Sequence, residues 1–229
     1  MAPEAESSAR GNITLDSLRL PAFAAPKSGP VIIAIEGPNG AGKTTLSWEL
    51  SRKLGVPWYL GTDEAWSAEN LKVRMIRDAD WYASAMFFLS GCFEQGRVLR
   101  ERPERLVVMD RSLWSTLAVH GATDPERLRA LLEMLRPLAQ ELGVPHMTLV
   151  LEASFAACQS RIANKTGSAR ALDQLTATAE FHAREAAFYR WLGGQSDRVA
   201  FLNANARVEQ VVDGALAIIQ AKFGALVSS

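Results

Sequence analysis

Cysteine is scarce. The 229 residues include only two, Cys92 and Cys158. Two thiols in unrelated contexts make neither a disulfide framework nor a metal cluster, and a reducing compartment fits them best. Net charge is missing too. Lysine and arginine number 25, as do aspartate and glutamate. That balance gives no reason to expect a nucleic acid or a membrane surface as partner, although it leaves room for a local basic pocket. No apolar run approaches the ~20 residues of a membrane span. The first 29 residues lack the apolar centre of a signal peptide, and Glu4, Glu6 and Asp16 are unlike a transit peptide. With Pro3, Pro21 and Pro26 among Ser, Ala and Gly, they read as a flexible tail with a short helix around 13–20. Residues 30–229 read as one domain, large enough to bury its own core. The expected location is cytoplasmic.

What is present is an alternation. Strands are expected at 31–35, 57–60, 106–109, 146–151 and 199–202. Helices are expected at 43–54, at 68–101 with a break near 78–80, at 113–120, at 155–162, at 172–192 and at 208–223. Another starts after Asp124, with Pro125 at its first position, Leu128, Leu131, Leu132, Leu135 and Leu138 on one side, and Gly143 as its stop. This order implies an α/β fold: a five-stranded parallel sheet with helices on both faces. Ligands of such sheets bind beyond the carboxyl ends of the strands. The polar segment 163–171 reads as a short lid.

At the first such end stands Gly37-Pro38-Asn39-Gly40-Ala41-Gly42-Lys43-Thr44, followed by Thr45. It matches the P-loop pattern in full, with a strand before and a helix after. Glycines let the backbone curl its amides around phosphates, and the helix start adds its dipole. Lys43 reaches the outer phosphates in this reading, and Thr44 holds Mg²⁺. ATP with Mg²⁺ is the expected cofactor. A GTPase is disfavoured: after Asn164-Lys165, Gly167 stands where an aspartate would read guanine, and no Asp-x-x-Gly follows the third strand.

The third strand runs into Asp110-Arg111. At that place Asp110 is suited to organise Mg²⁺ and Arg111 to clamp an acceptor; a helix cap with a surface ion pair is the plainer alternative. "MDRSLWS", ending at Ser115, resembles the Asp-Arg-Tyr-x-x-Ser signature of thymidylate kinases and the Glu-Arg-Ser-x-x-Ser signature of deoxynucleoside kinases. "MFFLSGCFEQ" is similar to the thymidylate kinase helix with a base-stacking phenylalanine, which here is Phe88. Residues 151–174 resemble the strand, helix and lid of that family. The resemblance implies nucleotide-side roles for Arg161, Lys165 and Arg170, and "FLNANARVEQVV" resembles the loop against the adenine. The likeness covers most of 30–222 in one order. Departures sit at the acceptor: Cys92 replaces an arginine, Ser112 a tyrosine, and "GTDEAW" an Arg-Glu-Pro.

The acceptor follows from charge. A phosphate acceptor is already ionised and needs cations; a hydroxyl gains ~10²–10⁴ in rate from a carboxylate base. After the second strand the chain places Asp63 and Glu64, with no arginine between Lys53 and Lys72. Asp63 is the expected base, with Glu64 as substitute; an ordinary helix cap at Asp63 is the alternative. Trp66, with Trp81, Tyr82 and Phe88, either lines an aromatic slot or belongs to the core. Arg74 and Arg77 are available to a phosphorylated acceptor. The expectation is phosphoryl transfer to a nucleoside-type hydroxyl. The alternatives are a nucleoside monophosphate kinase, a kinase of another small hydroxyl compound, and a nucleotide-binding regulator. The partner is a small molecule, with no membrane or nucleic acid; a homodimer is left open.

Overall fold

The β-branched runs become strands because side chains on alternate sides of each can be buried against separate helix layers. In the computed structural model, residues 13–62, 66, 69–121, 124–165, 173 and 177–227 are described. The strands are β1 (Val31–Glu36), β2 (Trp58–Leu60), β3 (Leu106–Asp110), β4 (Met147–Glu152) and β5 (Val199–Asn203). They form one sheet in the order β2-β3-β1-β4-β5. Every pairing is parallel, with Ile33 of β1 opposite Val108 on one side and Met147 on the other.

β1 feeds both layers. Ile33 and Ile35 pack with Leu46 and Leu50 of α1 (Lys43–Leu54) and with Val212, Ala215 and Ile219 of α8 (Val208–Val227). Ile32 and Ala34 face the other way, toward Val107, Met109 and Leu99 of α3 (Trp81–Arg100). On that side α4 (Leu113–Gly121), α5 (Pro125–Leu135) and α7 (Ala179–Gln195) complete a leucine- and aromatic-rich core with α3. α2 (Glu69–Arg77) precedes α3, and α6 (Phe155–Ala163) follows β4.

Local chemistry sets the boundaries. Gly55 ends α1 at φ 64, its N–H on Ser51 O. The break expected near 78–80 separates α2 from α3, where the Asp80 side chain accepts the Tyr82 N–H as a cap. Asp124 caps α5 in the same way, through Glu126 and Arg127. α5 stops at Leu135 instead of running to Leu138, and Arg136–Leu138 is a 3₁₀ turn. Pro137 explains this, since it has no N–H for the Glu133 carbonyl. α7 starts at Ala179, capped by Thr178; the expected start at 172 lies outside the described residues.

Residues 13–29, expected within a flexible tail, lie against the core. Leu18 is buried, and Ile13, Leu15, Leu20 and Phe23 pack around it. Phe23 meets Trp114 edge-on at 5.7 Å, and Gln140 Nε2 donates to Ala22 O at 3.1 Å. Five apolar side chains within eleven residues supply burial that proline and serine content does not reveal. No helix among the described residues is long and apolar enough to cross a membrane.

Candidate functional site

The turn after β1 wraps tightly because two glycines allow it. Gly37 (φ 130) and Gly40 (φ 83) leave no room for a side chain: a Cβ would lie 2.6 Å from Leu151 O and 2.6 Å from Cys158 O, respectively. Gly42 caps α1 in a left-handed conformation without a side-chain bond, so amides at the start of α1 stay free for an anion. Lys43 is folded beneath the loop, its Nζ donating to Gly37 O (2.6 Å) and Pro38 O (2.7 Å). Burial lowers its pKa, with Arg111 adding to the effect and Glu185, Asp110 and Glu36 opposing it.

Beside the loop, Thr44 Oγ1 donates to Asp110 Oδ2 at 2.6 Å. The other oxygen of this buried carboxylate, Oδ1, has no hydrogen-bond partner. A buried unsatisfied carboxylate oxygen next to a threonine hydroxyl is a donor set that suits Mg²⁺. Arg111 follows at φ 72, its N–H still on Ile35 O at 3.0 Å. Its guanidinium donates to Asn39 Oδ1 (2.7 Å) and Ser115 Oγ (3.3 Å). The arginine is thereby aimed at the phosphate loop.

Two further buried carboxylates stand behind these groups. Glu36, at the end of β1, is fully buried. It accepts hydroxyls from Ser112 (2.7 Å), Ser115 (2.5 Å) and Tyr189 (2.9 Å). Burial raises its pKa, while the serines, Arg111 and Tyr189 pull it down. Glu185 of α7 is buried as well and accepts the Asn39 N–H. Burial raises its pKa too, against Lys43 and Arg111.

Thr44, Asp110 and Arg111 open into a cavity of about 300 Å³. Phe88, Ser115 and His120 line it as well, with Gly61 and Thr62 from the bend after β2 and Lys72, Lys165 and Asp173. Phe88 is half-buried, its ring 5.6 Å from that of His120. His120 Nδ1 must donate to the Thr116 carbonyl (3.1 Å), so its Nε2 accepts from Ser84 Oγ (2.8 Å). Burial lowers its pKa.

The structure thus brings together Asn39, Lys43, Thr44, Phe88, Asp110, Arg111, Ser115 and Lys165. Lys165 Nζ is paired with Asp173 Oδ2 at 2.5 Å. Arg161, expected on the nucleotide side, donates to Ala41 O (3.1 Å) and Ala204 O (2.7 Å), tying the phosphate loop to the turn after β5. Trp66 is not among the residues lining the cavity; its Nε1 donates to Ser90 Oγ of α3 at 2.8 Å. Arg77 is exposed and paired with Asp78, and Arg74 is also exposed. Cys92, where the resemblance puts an arginine, is a buried thiol pushed up to about 12 by desolvation. Asp63, Glu64 and Arg170 lie outside the described residues. Sequence reasoning missed Glu36, Lys72 and Glu185. Glu36 carried a signal, a carboxylate closing a greasy strand; the two helix residues carried none.

Comparison with known proteins agrees with this geometry. The family model described as an AAA domain matches residues 32–188, more than half of the chain. The chain belongs to the AAA domain family. Within this AAA domain fall the phosphate loop, Asp110-Arg111 and Glu185. No curated protein sequence matches. Among solved structures, a deoxyadenosine kinase from M. mycoides, bound to dCMP and a flexible dCDP, superimposes with TM-score 0.66 at 18% identity, covering 83% of this chain and all of its own. The same enzyme with dCTP gives TM-score 0.65 at 18% identity, with 83% and 100% covered. The thymidylate kinase of Candida albicans gives 0.64 at 18%, covering 85% of this chain and 92% of its own. The AAA domain here therefore has the fold of P-loop nucleoside and nucleotide kinases.

Proposed function

We propose that the protein is an ATP- and Mg²⁺-dependent phosphotransferase whose acceptor is a nucleoside-type hydroxyl. The observation carrying this reading is the cavity that joins Asn39 and Thr44 of the phosphate loop to Phe88, Arg111 and Ser115 in about 300 Å³, a volume suited to a small aromatic ligand. The loop amides and Lys43 bind the polyphosphate, Lys43 leaving its two carbonyls to reach it. Thr44 and Asp110 hold Mg²⁺, which neutralises charge on the phosphates when bound. Arg111, held by Asn39 and Ser115, orients the transferring group, and the Phe88 ring offers the acceptor base a face. Gly61 and Thr62 line the cavity, and Asp63 and Glu64 follow them in sequence. Asp63 is assigned as base, with Glu64 as substitute, removing the hydroxyl proton as the oxygen attacks phosphorus. Lys165 and Arg170 belong to the lid that closes over the phosphates. The dCMP product in the deoxyadenosine kinase structure is a phosphorylated nucleoside and supports this choice.

One observation favours a nucleoside monophosphate acceptor instead. Lys72, Arg111 and Lys165 all line the cavity, and three cations offset the repulsion between two phosphates. The test is an ADP-release screen with nucleosides, nucleoside monophosphates and small alcohols. Turnover on nucleosides supports the first reading; turnover on monophosphates alone replaces it with the second. Acceptor-independent, near-zero ADP release rejects both in favour of a regulator.

A further inference from the structure

Phosphoryl transfer as set out above makes no use of Glu185. It is 2% exposed, yet it is surrounded by charge from every side. Lys43 faces it from the start of α1, Arg111 from the end of β3 and Glu36 from the end of β1, and Asn39 gives it a backbone N–H. Tyr189 is one turn along its own helix, and Cys158 approaches from α6. Such a carboxylate is costly to bury unless opposite charges offset it. Here Lys43 and Arg111 do so, and both belong to the phosphate site.

An incoming polyphosphate competes for these partners. It brings several negative charges and draws on the loop amides and Lys43, among which are the Asn39 N–H and the ammonium charge that Glu185 relies on. We propose that Glu185 is a positioning residue that stands in for phosphate, holding the Asn39 amide and balancing the charge of Lys43, and that it takes up one proton from solvent as nucleotide binds. This inference rests on the nucleotide-binding reading. The change is protonation of one carboxylate oxygen, with no other bond made or broken. Negative charge placed nearby disfavours the ionised carboxylate. Burial already holds Glu185 above the usual carboxylate range, so little added charge is needed. Because the pKa is higher in the bound state, protons are taken up between the free and bound values. Affinity then falls as pH rises through that window, by up to about tenfold per pH unit.

The test is calorimetric titration of wild type and Glu185→Gln with Mg²⁺ and the β,γ-imido analogue of ATP. Buffers of different protonation enthalpy, from acid to alkaline pH, give the proton count. Glutamine keeps an oxygen for the Asn39 N–H but cannot take up the proton, so a purely structural role would leave the count unchanged. Wild type is expected to take up at least about 0.3 proton more per nucleotide than the variant at its maximum, and to show the steeper fall in affinity with pH. Tight binding with equal proton counts overturns the inference and leaves the nucleotide reading standing. Absence of binding by folded wild type overturns the nucleotide reading itself. If the variant does not fold, infrared difference spectra of the wild type decide: a protonated-carboxyl band appearing on nucleotide addition supports the inference, and its absence overturns it.

Discussion

Replacing Glu36 by Gln tests the buried network at the end of β1. The carboxylate receives three hydroxyls, two on Oε2 and one on Oε1. Hydrogen bonds to a charged group contribute about 1.5–3 kcal/mol each and neutral ones about 0.5–1.5. The amide oxygen, placed at Oε2, keeps Ser115 and Tyr189 as weaker neutral bonds. The amide nitrogen then meets Ser112 Oγ, which already accepts the Trp114 N–H at 3.2 Å and must turn to accept again. The gross loss is roughly 3 kcal/mol, partly offset by no longer burying a charge. A net destabilisation of about 1–3 kcal/mol remains near neutral pH. With a urea slope of about 2–3 kcal/mol/M, the unfolding midpoint falls by roughly 0.5–1 M. The pH dependence has a definite sign. The folded pKa of Glu36 is raised, so its stabilising contribution is complete below its unfolded value of about 4.3. That contribution is lost as pH rises through the folded value. The gap between wild type and variant therefore widens on acidification. Midpoints within 0.2 M of each other, or a gap that narrows on acidification, would refute the reasoning.

Asp110→Asn removes the charge beside Thr44 and is expected to cut turnover by ~10²-fold or more; calorimetry should show weaker nucleotide binding with Mg²⁺ and nearly unchanged binding without it. Lys72→Met should raise the acceptor KM about tenfold while the ATP KM holds; the reverse pattern would put Lys72 on the donor side. His120 is kept neutral by burial, so its contribution to stability is present above its unfolded pKa of about 6.5 and is lost as pH falls toward its folded value. His120→Gln should flatten the decline of Tm between about pH 7 and 5. Asp63→Asn should lower the rate on a hydroxyl acceptor by ~10²-fold and spare ATP binding; if Glu64→Gln is the damaging change, the base is Glu64.

The phosphate loop and the sheet were legible because each depends on short-range chemistry. Gly37 to Thr44 needs its residue types in fixed order, and the strands announce themselves as β-branched runs between turn residues. Asp80 and Asp124 were readable as boundaries for the same reason. That Trp66 bonds Ser90 of α3 was not legible, because an indole suits a slot or a core equally. That Arg161 braces the phosphate loop through backbone carbonyls was not legible, because a guanidinium serves carbonyls as well as phosphates. Lys72 and Glu185 were invisible because helix residues gain their meaning from what lies across the fold. Nothing nearby in sequence links Glu185 to Asn39.

Arg111 holds its left-handed backbone without being glycine, at a cost of about 1–2 kcal/mol. Glycine there would relieve the backbone but leave Asp110, Glu36 and Glu185 without the cation that offsets them. A library scored for cellular abundance should therefore reject Arg111→Gly just as one scored for turnover does. A lineage freed from the need for catalysis should change at 111 only together with those carboxylates.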